Sequence, residues 1–168
     1  MPPMSEDHTP HETTRIDGRL HEMQPIRDET GRVIGTAPRA LNVEMHIEDY
    51  FQLLGGAGVI SIPLAMTEEV WNLGAGISNA RALVIALVTI VSLAIYVWAL
   101  FYRHRVSLYR GEMVKRVIAA YAIALATSVG LLLLIDKAPA DDIALTLRRA
   151  VLVAWPATLS ATTIDWLK

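Results

Sequence analysis

Two adjacent acids, Glu68 and Glu69, end an apolar run in the segment ISIPLAMTEEVW, residues 60–71. Carboxylates buried in a membrane are costly and usually lie on ion pathways, whereas carboxylates at the edge of a membrane helix reach water easily. Counted from Tyr50, Glu68 lies ~27 Å along a helix, near the far edge of a hydrocarbon core about 30 Å thick. We therefore favour an ion pair with Arg81, which begins the next apolar run, over a buried ion site and over simple exposure to solvent.

Two prolines interrupt apolar runs, Pro63 in the first and Pro156 in the last. A proline removes one helical hydrogen bond and frees the carbonyl four positions earlier. Broken helices of this kind line binding sites in transporters, yet irregular backbone alone does not select an ion. Because no charged residue adjoins either break, we interpret both prolines as bends.

The composition identifies the elements that must hold these residues. The 168 residues are 53% hydrophobic with a mean hydropathy of +0.38, which is too apolar for an ordinary soluble domain. The apolar excess follows Asp49, since residues 1–49 carry ten acids and five arginines. The absence of cysteine excludes disulfides, thiolate metal sites, iron–sulfur clusters and attached c-type haem.

The sequence predicts an all-α, polytopic transmembrane helical bundle with a polar tail. Residues 1–38 are expected to be mostly irregular and cytosolic, although IRDETGRVI could form a hairpin. Residues 39–49 have the periodicity of an amphipathic helix at the membrane surface. Residues 50–168 form the membrane domain, with spans predicted at 50–71, 81–102, 117–135 and 149–167.

The distribution of basic residues predicts the orientation. The loop between spans two and three is basic, whereas NLGAGISNA between spans one and two has no base. Short basic loops stay in the cytoplasm. The sequence therefore predicts a protein of the bacterial inner membrane with its amino terminus on the cytoplasmic side, and Trp71 marks the outer interface. The basic residues of that loop are Arg103, Arg105, Arg110, Lys115 and Arg116.

Small residues at four-residue spacing predict how the helices pack, because membrane helices approach closely through such rows. An intramolecular bundle explains these rows more economically than a specific dimer face. Span two carries large apolar side chains on every face and is expected to face lipid. The rows are Ala57, Ser61 and Ala65; Ala120, Ala124 and Ser128; Ala122, Ala126 and Gly130; and Ala150, Ala154 and Thr158.

No pattern in the sequence points to catalysis. A nucleophile elbow, an HExxH pair, a phosphate-binding loop and a dinucleotide fingerprint are all missing from it. His8, His11 and His21 match no established metal-ligand spacing. We therefore expect no enzyme activity, no metal, no cofactor and no nucleic-acid partner.

The run GGAGVISIPLAMTEEVWNLG, followed by an apolar span, a basic loop, a third span and RRAVLVAWPATLSA, resembles an uncharacterised family of bacterial integral membrane proteins. The resemblance covers residues 50–165 and the first four spans of the family. Its most specific segment, IPLAMTEEVWNLG, implies that Glu69, Trp71 and Gly74 are positions of the family pattern. The resemblance implies a polytopic inner-membrane protein and no particular activity.

Three functions fit these features. The first is a noncatalytic membrane subunit or scaffold that binds membrane lipids and associates with other copies or other membrane subunits. The second is a small homo-oligomeric channel or transporter built around the two glutamates and the two prolines. The third is a pigment- or lipid-binding accessory subunit of an energy-transducing complex, with His46 and His104 as its histidines near the membrane.

Overall fold

The computed structural model describes residues 13–17, 19–41, 43–103, 106–139 and 141–167. The chain divides into two compact units, one ending at Glu44 and the other beginning at Met45. The first unit is a small sheet and the second is entirely helical among its described residues. The prediction of a mainly α-helical transmembrane bundle is confirmed.

The first unit is a three-stranded antiparallel sheet with strand order β1-β2-β3, where the tail was expected to be mostly irregular. Pro25 lies in the middle strand, but beyond the residues that pair with β1, so its missing N–H costs no ladder hydrogen bond. The predicted hairpin in IRDETGRVI is present, and Gly31 in its turn has φ +81°. The strands are β1 Thr13–Ile16, β2 Arg19–Arg27 and β3 Val33–Ala40.

The described part of the second unit contains five helices. Helix α3 is followed directly by a π-helical turn, Trp98–Tyr102. Helix α4 is kinked at Tyr109, where φ is −124° and ψ is 29°. The helices are α1 Ile47–Ala65, α2 Glu68–Gly76, α3 Asn79–Val97, α4 Val106–Leu134 and α5 Ile143–Trp166.

Among the described residues, three helical segments are long and apolar enough to cross a membrane, namely 79–102, 109–134 and 143–166. The bent pair α1 and α2 would supply a fourth span. Side chains from the start of α1, the end of α3, the first half of α4 and the end of α5 meet at one end of this unit, so successive long helices alternate in direction. We call this the charged end, and the opposite end, where α2 lies, the corner end.

Helix α5 is the centre of the unit, because it contacts α1, α2, α3 and α4. Its many hydroxyls made it the least apolar predicted span. Those hydroxyls bond to backbone carbonyls, as Thr162 does to Thr158 (2.9 Å) and Ser160 does to Gly56 of α1 (2.8 Å). An internal helix can therefore be rich in Ser and Thr without leaving polar groups unpaired.

The small-residue rows of α1 and α5 pack inside the unit, as predicted. Gly56 allows the closest approach, since a Cβ there would lie 2.7 Å from the Ala161 Cα. Helix α3 has the smallest buried share of the three apolar spans and turns large side chains such as Leu83, Val84 and Val91 outward, as expected of a lipid-facing helix. The buried row members are Ala57, Ser61, Ala65, Ala150, Ala154 and Thr158.

Two predicted elements differ from the structure. The prediction of an amphipathic helix over 39–49 is wrong, because β3 continues to Ala40 and α1 begins only at Ile47. The first span, predicted as one helix over 50–71, ends at Ala65 and turns by 83° into α2. Pro63 lies in the last turn of α1, and the extended backbone of Thr67 (φ −92°, ψ 136°) separates the two helices.

Candidate functional site

Three charged side chains are buried together at the charged end. Arg116 of α4, Asp49 of α1 and Asp165 of α5 are each at most 1% exposed. Arg116 Nη1 donates a hydrogen bond to Asp165 Oδ2, and Arg116 Nη2 lies 3.6 Å from Asp49 Oδ2. One guanidinium thus links three helices. We call Asp49, Arg116 and Asp165 the buried charge cluster.

The start of α1 fixes the position of Asp49. Asp49 is the third residue of the helix, and its Oδ2 accepts a hydrogen bond from the backbone N–H of His46 (2.9 Å). A carboxylate in the first helical turn satisfies an N–H at the helix start and interacts favourably with the helix dipole. The main-chain N–H of His46 is therefore one partner of the Asp49 carboxylate.

Aromatic side chains close the cluster on the side of α3. The Phe101 ring lies under the guanidinium of Arg116, with 4.0 Å from Cζ to the ring centroid. Tyr102, the next residue, is fully buried. Both aromatics belong to the π-helical turn that follows α3. Helix α3 thereby joins the other three at this end.

The cluster contains two carboxylates and one guanidinium, all removed from water. Taking ions out of water costs several kcal/mol each, and close pairing offsets part of that cost. When one partner is removed, an uncompensated charge stays behind, so such clusters strongly favour the arrangement that keeps every partner in place. The cluster can therefore fix how α1, α4 and α5 meet.

The sequence did not reveal this cluster. Arg116 was assigned to the basic loop because the apolar run begins at residue 117, but α4 starts at Val106 and holds Arg116 inside the helix. One signal was available: Asp165 is the lone acid of the last span and needs a partner in the membrane.

At the corner end, Trp71 holds the bend between α1 and α2. Its indole Nε1–H donates to the Ala65 carbonyl at 2.7 Å, and Thr67 Oγ1 donates to the Leu64 carbonyl at 2.8 Å. These bonds satisfy carbonyls where the helix stops. Trp71 was predicted as an interface marker, and the structure adds that it clamps the turn.

Glu68 and Glu69 begin α2 and are exposed. Acids are favourable in the first turn of a helix, where N–H groups lack partners. Arg81 lies in the first turn of α3 and is also exposed, and no ion pair joins it to either glutamate in the described part of the chain. The predicted ion pair assumed one straight helix over 50–71. Instead, α2 turns by 83° and carries the glutamates off the axis of α1.

Arg149 of α5 connects the corner to the rest of the unit. Its Nη1 donates to the Lys137 carbonyl (2.6 Å) and its Nε donates to the Trp71 carbonyl (3.3 Å). Lys137 Nζ in turn lies 4.2 Å from the Trp71 ring centroid. Gly74 of α2 leaves room for Arg149, because a Cβ there would lie 2.5 Å from the Arg149 Cγ.

The two prolines occupy different settings. Pro63 is exposed near the end of α1, just before the bend, whereas Pro156 is half-buried within α5, which continues past it to Trp166. Neither adjoins a charged residue. Among the described residues no group of three or more metal-binding side chains is present. His8, His11 and His104 lie outside the described residues.

A family model described as "Putative integral membrane protein (DUF2391)" matches residues 18–164. The chain belongs to this family. The match begins within the sheet, so the DUF2391 domain includes most of the first unit as well as the helices, and it extends beyond the 50–165 region of the resemblance. Glu69, Trp71 and Gly74, which carried that resemblance, all lie in α2, two of them in contact with Arg149.

No curated protein and no solved structure matches the chain at a significant level. The family establishes an integral membrane protein and assigns no activity.

Proposed function

We propose that this DUF2391 protein is a noncatalytic membrane subunit or scaffold, which associates within the bilayer with other copies of itself or with other membrane proteins. The observation that carries the proposal is that α4 has two rows of small residues on opposite sides, of which only one is buried within the unit. Ala120, Ala124 and Ser128 are fully buried within the unit. A second row, Ala122, Ala126 and Gly130, lies on the other side of the helix.

This second row is open. Ala122 and Ala126 are exposed, and a Cβ built on Gly130 would have no atom within 4 Å among the described residues. Small residues at four-residue spacing let two membrane helices approach closely, and close packing is the main drive for association in lipid. The row gives α4 the kind of surface that its own buried row uses inside the unit.

Single cysteines test this proposal cleanly, because the native chain has none. Ala126→Cys places a thiol on the open row, and Val88→Cys places one on the outward face of α3 at a similar distance from the corner end. Oxidative crosslinking in native membranes is expected to give a disulfide-linked dimer, or a crosslink to a second protein, with Ala126→Cys only. Equal crosslinking of the two variants would refute the proposal.

A channel or transporter is the second candidate, and the buried charge cluster favours it. Intramembrane acids often mark proton or ion pathways. Vesicles reconstituted with the protein would then show a proton or cation flux that Asp165→Asn abolishes. The paired variant Glu68→Gln, Glu69→Gln is the control, since both glutamates are exposed at the corner. A scaffold gives no flux with any variant.

For the orientation we propose the charged end on the cytoplasmic side of a bacterial inner membrane. The bases between α3 and α4 support this arrangement. With this orientation, Asp141→Cys reacts with a membrane-impermeant maleimide in intact cells, whereas Arg110→Cys reacts only after lysis. The reverse pattern of labelling would place the charged end outside.

A further inference from the structure

A groove of about 300 Å³ opens between α3 and α5 at the corner end. Its walls are apolar, with Ala82 and Ala86 from α3 and Leu147 and Val151 from α5. Arg148 also lines it. An apolar groove that contains one cation is an unusual surface, because an arginine in apolar surroundings needs an anionic or polar partner.

Within the described part of the chain, Arg148 is poorly satisfied. Its Nη1 makes one long hydrogen bond to Asn79 Oδ1, at 3.4 Å. Its Nε is buried from solvent and has no hydrogen-bond partner, and no carboxylate forms an ion pair with it. The neighbouring Arg149, by contrast, donates from Nε and Nη1 to two backbone carbonyls. Arg148 can therefore donate further hydrogen bonds to an acceptor in the groove.

The start of α3 adds favourable charge at the same place. Asn79 is the first residue of this helix and lines the groove. The first N–H groups of a helix lack intrahelical partners and carry the positive end of its dipole, which attracts anions. Arg148 and the first residue of α3 thus line the same groove.

We propose that this groove binds an anionic phospholipid, with its phosphate at Arg148 and the start of α3 and one acyl chain along the apolar walls. A phosphate diester supplies the acceptors that the guanidinium fork requires. An acyl chain suits the walls, because they offer alanine, leucine and valine and are formed by two helices that are long and apolar enough to cross a membrane. Free phosphate would use the same donors and leave the walls uncovered.

Native mass spectrometry of the full chain, with a defined lipid added, tests the site. The wild type is expected to bind phosphatidylglycerol at least about fivefold more tightly than phosphatidylcholine, the order expected for one arginine near the headgroups. Arg148→Gln is expected to remove this preference. Arg81→Gln is the matched control, since Arg81 is an exposed arginine at the start of α3 and lies outside the groove. The Arg81→Gln variant should keep the preference for phosphatidylglycerol.

A second variant keeps the test decisive if Arg148→Gln does not fold. Ala86→Phe fills the groove without touching the charge, and it should weaken binding of both lipids. Inorganic phosphate should not displace phosphatidylglycerol. The proposal is overturned if Arg148→Gln retains the preference, if Ala86→Phe binds lipid like the wild type, or if phosphate alone competes, which would indicate a site for the free ion.

Discussion

Arg116 and Asp165, which are 49 positions apart in the chain, form an ion pair in which neither side chain is exposed. The pair joins α4 to the central helix α5. Asp49, 3.6 Å from the same guanidinium, adds α1. Three helices are thus held by one arginine, which makes Arg116 the residue whose loss should affect the unit most.

Arg116→Gln should destabilise the unit by about 3–5 kcal/mol, because two buried carboxylates would lose their counter-ion. Lys115→Gln is the matched control, since the Lys115 side chain is 66% exposed and pairs with Glu112 at the surface. It should cost less than about 1 kcal/mol. The free energy of unfolding in mixed detergent micelles measures both variants.

Combining Arg116→Gln with Asp165→Asn distinguishes an interaction between the two side chains from a loss of packing at each position. The double variant should be less destabilised than the sum of the two single variants, because removing Asp165 also removes the charge that Arg116→Gln leaves unpaired. Strict additivity would show that the two side chains do not interact.

Gly56→Ala should destabilise the α1–α5 contact by about 1–3 kcal/mol, the usual cost of overpacking. The new methyl group would meet the backbone of α5 at Ala161, which cannot move as a flexible side chain can. Gly58→Ala, one half-turn further along α1, has no atom within 4 Å of the added Cβ. It should be neutral or stabilise the helix by roughly 0.5–1 kcal/mol. A similar loss of unfolding free energy in both variants would contradict the close approach at Gly56.

Trp71→Phe should loosen the bend between α1 and α2. Phenylalanine keeps a ring beside Lys137 but loses the N–H that donates to the Ala65 carbonyl. We expect a cost of about 1 kcal/mol and faster amide exchange over residues 66–70, measured by hydrogen–deuterium exchange. Trp98→Phe, at an exposed tryptophan, is the control. Unchanged exchange in Trp71→Phe would show that the indole bond does not hold the turn.

Asp28 should give the β2–β3 turn a pH dependence. The Thr30 hydroxyl, together with the backbone N–H groups of Arg32 and Thr30, holds the pKa of the Asp28 carboxyl below its ordinary value of 3.8. Because the folded-state pKa is depressed, the stabilisation is fully present above pH 3.8 and is lost as the pH falls through the folded-state pKa. A carboxyl ¹³C NMR titration of the full chain measures it.

Thr30→Ala removes the hydroxyl bond and should raise the pKa of Asp28 toward 3.8, since that bond is the largest cause of the shift. Glu29→Gln changes a neighbouring exposed acid and should leave the pKa of Asp28 unchanged. An Asp28 titration that is the same in Thr30→Ala and in the wild type would contradict this origin of the shift.

Much of the helical architecture was predictable because it follows from hydropathy and spacing. The span over 81–102 coincides with α3 and its π-helical turn, since the run has no break and no charge beyond Arg81. The small rows at Ala57 and Ala150 were correctly placed in helix contacts, because only short side chains allow such approach. The hairpin around Gly31 was visible from turn residues alone.

The α1–α2 corner was not predictable in the same way. The run from Tyr50 to Trp71 is long enough to cross a membrane, and neither its length nor Pro63 fixes where it turns. The turn depends on the indole of Trp71 reaching back to Ala65 and on Arg149, 78 positions later than Trp71, bonding to its carbonyl. Contacts at such separation leave no local periodicity in the sequence.

The sequence by itself determined that this is a membrane protein and which three of its described helices are apolar and long enough to cross a bilayer, because the free energy of placing apolar residues in lipid is set by composition over about 20 residues. Only the tertiary structure decided which charges are buried. Asp49, Arg116 and Asp165 each lie near the end of an apolar run, where exposure and burial look alike in sequence. Their burial depends on the alternating directions of α1, α4 and α5, which bring one guanidinium within reach of both carboxylates.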